Sequence, residues 1–128
     1  HGKMIRDFTY IDDIVEGVVR VLDKMATANP DFESATPDAA TAAAPFRLFN
    51  IGNGQPKPLM DYIGALERAL GITAKINMME MQPGDVPATS ADTSALHDWV
   101  GFAPGTDIEE GVARFAEWYL NYFGHAGN

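Results

Sequence analysis

The chain has 128 residues, 46% of them hydrophobic, and its formal net charge is −9. This length fits one domain with a core of its own, and the acidic charge gives no long-range attraction for nucleic acid or for anionic lipid. The absence of cysteine excludes a disulfide framework and a cysteine-ligated metal site. No apolar run reaches the roughly 18–20 residues of a membrane span, and the start lacks the apolar core of a signal peptide, so we expect a cytoplasmic protein.

The first predicted element is an amphipathic helix. Apolar residues recur at steps of three and four, which predicts a helix with one buried face. They are Ile14, Val15, Val18, Val19, Leu22 and Met25. Asp12 or Asp13 precedes them and can accept the first unpaired N–H groups as an N-cap. Residues 29–45, rich in Ala, Thr, Pro and Asp, predict a long flexible surface loop or insertion.

A strand, a turn and a helix are predicted next. Residues 46–51 predict a short strand that ends at the glycine-rich turn of Gly52 and Gly54. The following stretch predicts a helix that stops at Gly71. Its buried face is predicted to consist of Leu59, Tyr62, Ile63, Leu66 and Leu70.

The last part of the chain predicts one more strand and two helices. Residues 74–80 alternate in the manner of a strand. After a loop with proline and glycine, Asp92 or Thr93 can cap a short helix that closes at Gly101.

The final predicted helix extends to Gly124. Thr106 and Glu109 have the spacing of a capping box that would open it. Its apolar side is predicted from Ile108, Val112, Phe115 and Tyr119.

Cofactor and metal motifs are incomplete. Gly52 and Gly54 form an isolated GxG, because Lys57 stands where GxGxxG has its third glycine, so a tight turn is favoured over dinucleotide binding. The three histidines lack the spacing of metal ligands. They are His1, His97 and His125. We therefore predict no metal, no cofactor-binding residue and no catalytic residue.

Arg6 and Asp85 are the candidate site residues. Arg6 either pairs structurally with Asp7 or presents its guanidinium fork to phosphate oxygens, and the residues themselves leave both interpretations open. Asp85, in a loop with proline and glycine on either side, is favoured as a loop-forming carboxylate over a ligand contact.

Four segments in this order resemble a known family. They are RDFTYIDDIVEGVVRVL at 6–22, FNIGNGQP at 49–56, MQPGDVPATSAD at 81–92 and GFAPGTDIEEGVARFAEWY at 101–119. Together they resemble the C-terminal portion of the NAD-dependent nucleotide-sugar epimerase/dehydratase family of extended short-chain dehydrogenases, and above all UDP-glucuronate 4-epimerases. The resemblance covers the chain except residues 29–45.

The resemblance implies an α/β, mostly helical substrate-binding part over residues 1–128, with a few short strands and the Rossmann core largely absent. It also implies a UDP-sugar partner and NAD as the cofactor of the parent enzyme. The family's GxxGxxG and YxxxK motifs are missing, since no tyrosine has lysine four residues later. We therefore expect the chain alone to be inactive and not to bind NAD.

The same resemblance implies substrate-binding roles for Arg6, Gln82 and Asp85. Arg6 would contact the diphosphate. Gln82 stands where many relatives have an arginine that binds phosphate, which suits the glucuronate branch and leaves the second phosphate contact open. Asp85 would hold its loop.

Two alternatives remain at this point: a fragment of a nucleotide-sugar dehydratase or decarboxylase, and a stand-alone nucleotide-sugar-binding module. The strand at 46–51 would have unpaired edges, so we also predict a homodimer or higher oligomer.

Overall fold

A computed structural model describes residues 2–124. Its elements are β1 (Ile5–Arg6), α1 (Ile11–Asp23), β2 (Lys57–Pro58), α2 (Leu59–Leu70), α3 (Ser94–Val100) and α4 (Ile108–Phe123). Four helices and one two-stranded sheet confirm the predicted mostly helical α/β class with few short strands. Among the described residues, no helix is long and apolar enough to cross a membrane.

The core of the described chain is formed by its helices, chiefly where α2 packs against α4. Its buried apolar side chains are Ala65, Leu96, Val112 and Ala116. On the other side, α1 packs against α3. Gly17, on the inner side of α1, lies against Ile51 and Phe102, where a Cβ atom would make ordinary van der Waals contacts at 3.4 Å and 3.6 Å.

The small sheet holds the start of the chain between two later segments. Arg6 pairs with Lys57 in the antiparallel β1–β2 ladder. On the opposite edge of β1, the Ile5 N–H donates to the Pro87 carbonyl at 2.9 Å, and the Thr89 N–H donates to the Ile5 carbonyl at 3.1 Å. These two-residue strands were not predicted, because they are too short to show an alternating pattern.

The predicted strands at 46–51 and 74–80 are wrong, because a strand needs a neighbour to accept its ladder of hydrogen bonds. In the described chain, residues 46–51 have one bridge, between Thr41 and Arg47. Alternate side chains do point inward, since the Arg47 guanidinium lies 4.7 Å from the ring centroid of Trp99. Residues 74–80 are exposed and irregular.

The three helix stops predicted at glycine are confirmed, and Gly124 directly follows the end of α4 at Phe123. Gly71 ends α2 with φ +67° and Gly101 ends α3 with φ +66°, a left-handed conformation that glycine adopts without steric strain.

Of the two residues predicted to cap α3, Thr93 occupies the N-cap position but its side chain makes no cap hydrogen bond. Asp92 lies one residue earlier, and its carboxylate accepts the Ser94 N–H at 3.0 Å.

The predicted N-cap of α1 is wrong. Tyr10 occupies that position, and its side chain makes no cap hydrogen bond. Asp13 instead faces the loop before α4, where its carboxylate accepts the N–H groups of Gly105 at 3.2 Å and Thr106 at 2.9 Å. Asp13 is therefore used for a long-range contact rather than for a local cap.

The capping box predicted at Thr106 is also wrong. Asp107 is the N-cap of α4, and its carboxylate accepts the Glu109 N–H at 3.0 Å. An aspartate one residue nearer the helix satisfies the same orphan donor more directly.

The predicted buried face of α1 is wrong for most of its members. Val15, Val18 and Val19 are about half exposed, and Leu22 and Met25 are 78% and 86% exposed. Only a narrower side of the helix contacts the rest of the described chain.

Residues 29–45 contain no helix or strand, as the loop prediction requires. The segment is closed by two contacts of Asn29: its N–H donates to the Ala42 carbonyl at 2.8 Å, and its side-chain amide donates to Oγ1 of Thr41 at 3.1 Å. Its flexibility stays a prediction.

Candidate functional site

Arg6 is the centre of the candidate site, and β1 fixes its backbone. Its Nη2 atom lies 2.5 Å from the Asp85 carboxylate, and its Nη1 atom donates to the Ile5 carbonyl at 2.9 Å. The side chain is 22% exposed, so the guanidinium is partly shielded from water. The alternative in which Arg6 pairs with Asp7 is wrong, because the partner is Asp85.

The segment after Arg6 is anchored on α2. The rings of Phe8 and Tyr62 stack with their centroids 4.6 Å apart, a geometry that adds to the energy of burying both rings. Arg6 is therefore held between a hydrogen-bonded strand and an aromatic contact, which limits where its guanidinium can reach.

A groove of about 310 Å³ has among its lining residues Met4 and Asp85, and both of these contact the Arg6 guanidinium. Five of the six methionines line it. They are Met4, Met60, Met78, Met79 and Met81. The Arg6 guanidinium contacts the wall of the groove at Met4, whose sulfur accepts a hydrogen bond from Nη2 at 3.3 Å. Because methionine side chains are flexible and polarisable, this groove can adapt to an apolar or flat group next to a positive charge.

The structure brings Gln82 and Asp85 to the same groove. The Asp85 N–H donates to the Gln82 carbonyl at 3.1 Å, and Gly84 between them has φ +90°. This turn presents the Asp85 carboxylate to Arg6. All three residues predicted from the resemblance are therefore neighbours, and their binding roles stay predictions.

Asp7 organises the surroundings of the site, although sequence reasoning gave it no such role. Its Oδ2 atom accepts the N–H groups of Gly54 at 3.1 Å and of Ala91 at 3.0 Å. Its own N–H donates to Oγ1 of Thr89 at 3.2 Å. One carboxylate thus joins the loops on both sides of β1.

The GxG turn does not fit the pyrophosphate of a dinucleotide. Such a turn has to leave backbone N–H groups and space open for the phosphates. Here the Gly54 N–H is taken by Asp7, and a Cβ on Gly52 would lie 2.5 Å from Cβ of Ala91. The turn is packed against protein, so it lacks the open N–H groups and the space that such a pyrophosphate site needs.

Metal ligands are likewise not gathered in residues 2–124, where no group of three or more His, Cys, Asp or Glu side chains could hold an ion. His97 lies 3.3 Å from the neighbouring Asp98. His1 and His125 lie outside the described residues.

Comparison with known proteins identifies the family. No family model matches the chain. It is 51% identical over 123 residues to an uncharacterized 37.6 kDa protein of Escherichia coli O111:H-, covering 96% of this chain and 37% of that protein. It is 47% identical to a probable UDP-glucuronate 4-epimerase of Rhizobium meliloti, covering 92% of this chain and 35% of that protein.

The chain belongs to the NAD-dependent nucleotide-sugar epimerase/dehydratase family, as a C-terminal part of such a protein. It spans about a third of the length of these relatives. Its fold matches part of the UDP-glucose 4-epimerase from Bifidobacterium longum, solved in complex with NAD+ and UDP, with a TM-score of 0.73 at 21% identity. The match covers 96% of this chain and 32% of that structure. This identity level supports the fold alone.

Proposed function

We propose that the chain is the UDP-sugar-binding C-terminal part of a nucleotide-sugar 4-epimerase whose substrate is UDP-glucuronate. The observation that carries this proposal is the position of Arg6: a partly shielded guanidinium at the edge of a groove, with Gln82 and Asp85 beside it. On a chain of net charge −9, an anionic ligand has to be held by such local donors rather than by the overall field.

A diphosphate suits this arrangement. Charge-assisted hydrogen bonds from arginine to phosphate are among the strong ones in proteins. The contacts to Ile5, Met4 and Asp85 use only part of the donor set of the guanidinium, and the remaining donors can reach ligand oxygens. Gln82 offers a neutral amide where an arginine would add a second charge, so we expect one strong phosphate contact.

We propose further that the chain alone is catalytically inactive and that NAD is held by the rest of the parent protein. Hydride chemistry on a sugar needs a positioned base, and none of the four tyrosines has the lysine four residues later that the family uses. The GxG turn supports the proposal that NAD is held elsewhere, because Asp7 already accepts the Gly54 N–H and Ala91 occupies the space next to Gly52. The cysteine-free composition supports a cytoplasmic location, which cell fractionation would test.

The test is a titration of the chain with UDP and with UDP-glucuronate, followed by NMR shifts and calorimetry. We expect weak, saturable binding that disappears in Arg6→Ala. Arg68→Ala is the matched control, because Arg68 is an exposed arginine of α2 paired with Glu109 and should not affect binding. The proposal is overturned by binding that survives in Arg6→Ala, or by equal losses in both variants.

The reaction of the complete gene product distinguishes an epimerase from its sister activities. We expect UDP-glucuronate and NAD to give the 4-epimer with no loss of carbon. Release of carbon dioxide would assign a decarboxylase, and loss of water from the sugar would assign a dehydratase. Ligand binding without any turnover would assign a binding module.

A further inference from the structure

Methionine is concentrated at one place in the chain. Five of the six methionines line the groove beside Arg6, and the sixth, Met25, lies beyond the end of α1. Three of the five are at least half exposed: Met78 at 51%, Met79 at 61% and Met81 at 50%. Because an oxidant has to reach the sulfur, this groove is open to the conversion of methionine to its sulfoxide.

Met4 differs from the other methionines because its sulfur contacts the Arg6 guanidinium. Its Sδ atom accepts a hydrogen bond from Nη2 at 3.3 Å, and the same nitrogen lies 2.5 Å from Oδ1 of Asp85. The main chain of Met4 is fixed, since its carbonyl accepts the Leu59 N–H at 2.8 Å, and the residue is partly exposed. The sulfur is therefore held against Arg6 at a position that water reaches.

The two acceptors on Nη2 differ in strength. Nη2 carries two N–H groups. The Asp85 carboxylate holds one in a charge-assisted bond, and the thioether of Met4 holds the other as a weak acceptor. Because Met4 lines the groove, the weakly held N–H lies on the groove side of the guanidinium. A phosphate oxygen in the groove can displace the sulfur from this donor at little cost.

We propose that Met4 is a modification site, and that its oxidation to the sulfoxide by a peroxide weakens the binding of a diphosphate to Arg6. This inference rests on the proposed function, since it requires Arg6 to bind a diphosphate. In the reaction with hydrogen peroxide, an S–O bond forms and the O–O bond breaks. The sulfur loses two electrons to the peroxide, and the hydroxide that leaves takes up a proton to become water.

The sulfoxide changes which acceptor Arg6 keeps. A thioether is apolar, whereas a sulfoxide is polar and carries an oxygen on the same sulfur. This oxygen can hold the groove-side N–H of Nη2 against a competing phosphate oxygen, so the ligand loses one donor. The net charge of the chain does not change, and the effect is therefore local to Arg6. Methionine sulfoxide is reduced by dedicated reductases, which makes the modification reversible.

The test compares UDP binding before and after peroxide treatment of the complete gene product. Calorimetry gives the Kd, and peptide mass spectrometry gives the fraction of sulfoxide at each methionine. Met4→Leu removes the sulfur that contacts Arg6 and keeps an apolar side chain of similar size. Met78→Leu is the matched control, because it removes an exposed thioether from the wall of the same groove. Each protein is compared with itself, so the measured quantity is the ratio of the two Kd values.

We expect peroxide to raise the Kd at least about fivefold in the parent protein and in Met78→Leu, which corresponds to the loss of one hydrogen bond. The ratio should stay near one in Met4→Leu, and a methionine sulfoxide reductase should restore binding in the parent protein. Met4→Gln, which places an amide oxygen near the guanidinium, should weaken UDP binding without any peroxide.

Three results would overturn the inference. They are an equal rise of the Kd in Met4→Leu, an unchanged Kd in a parent protein whose Met4 is oxidised, and a Met4 that stays reduced while Met78 is oxidised. Failure of the proposed function gives a different result, because UDP binding would then be absent before peroxide is added or would survive in Arg6→Ala. The inference would fail together with the proposed function in that case.

Discussion

Arg6 and Asp85 lie 79 positions apart in the sequence, and their side chains form an ion pair of 2.5 Å. The pair joins β1 to the loop that carries Gln82. Because Asp85 also fixes that loop through its N–H bond to the Gln82 carbonyl, one aspartate sets both the guanidinium and the turn beside it. The shape of the candidate site therefore depends on a contact that closes only when the chain is folded.

Replacing Asp85 by asparagine should loosen this loop. The change removes the charge of a partly exposed ion pair, which typically contributes about 0.2–1 kcal/mol to stability. We expect a small loss of global stability and faster amide exchange in residues 82–87, measured by hydrogen–deuterium exchange. Exchange in α4 serves as the internal control. Unchanged exchange at 82–87 would mean that the ion pair does not hold the loop.

Asp7 should matter more for stability than Asp85. In Asp7→Ala, the N–H groups of Gly54 and Ala91 lose their acceptor. Because Ala91 is partly buried and Gly54 is exposed, we expect a loss of about 1 kcal/mol, the low end of the cost of an unpaired donor. Asp7→Asn keeps an oxygen at the same place, so its loss of stability should be clearly smaller than that of Asp7→Ala. Urea unfolding of the three proteins measures the difference. Equal stability of the alanine and asparagine variants would show that the hydrogen bonds are not responsible.

Gly52 should not accept a side chain. In Gly52→Ala the new Cβ would lie 2.5 Å from Cβ of Ala91 and 3.0 Å from the Asp7 carboxylate, and such overpacking typically costs about 1–3 kcal/mol. Gly105→Ala is the control, because a Cβ there would meet no atom within 4 Å. Thermal unfolding should show a lower midpoint for the first variant and a near-unchanged one for the second. A stable Gly52→Ala protein would mean that the two loops can separate at little cost.

The sequence was most informative where the structure is local. Gly71 and Gly101 stop their helices within a few residues of the pattern that predicts them, and Asp92 acts on Ser94, two positions away. Most of the failures are non-local, although the cap of α4 was also missed by one residue, since Asp107 accepts the Glu109 N–H. Residues 46–51 have the alternation of a strand, but a strand also requires a neighbour. Helix α1 has the apolar pattern of a buried helix, although its Val15, Val18 and Leu22 are exposed in the described chain.

In the candidate site, too, local features could be predicted from the sequence and long-range contacts could not. Arg6 and Asp85 could be singled out because their charges and their positions within motifs are visible in the sequence. The role of Asp7 could not be found in this way, since its partners are backbone N–H groups 47 and 84 positions away. Asp13 was misinterpreted as a cap for a similar reason, because its partners Gly105 and Thr106 lie 92 and 93 positions away.

Acid should weaken the start of α3. Hydrogen bonds from Ser94, first from its hydroxyl and then from its N–H, lower the pKa of Asp92 below the ordinary aspartate range. A carboxylate with a lowered pKa in the folded state contributes stability above its unfolded pKa of about 3.9, and this contribution is lost as pH falls through the folded value. NMR titration of the Asp92 carboxyl should show the lowered pKa. In Ser94→Ala it should move back towards the ordinary value, and a pKa that is unchanged by this substitution would contradict the assignment.

Taken out of its parent, the chain should associate with itself through the exposed apolar side of α1, here called the stripe, which consists of Ile11, Val15, Val18 and Leu22. The predicted homodimer or higher oligomer was argued from unpaired strand edges, but α1 offers a clearer driving force in its exposed apolar side chains. The net charge of −9 on each copy opposes this association. Added salt should therefore strengthen it, because salt screens the repulsion and leaves the apolar contact in place.

Sedimentation velocity at micromolar concentration, with and without about 0.5 M salt, measures the fraction of the chain that is dimeric. At that ionic strength the repulsion between exposed charges is screened over a few ångströms, so the dimer fraction should rise. Leu22→Asp places a charge in the stripe at a side chain that is 78% exposed and should return the chain to a monomer without unfolding it. Ala43→Asp makes the same change of charge in the 29–45 loop, at a residue that is also exposed, and should leave association unchanged. If Leu22→Asp associates as the parent sequence does, the contact lies elsewhere, and the backbone of residues 46–51, which forms only part of a strand ladder, becomes the surface to test next.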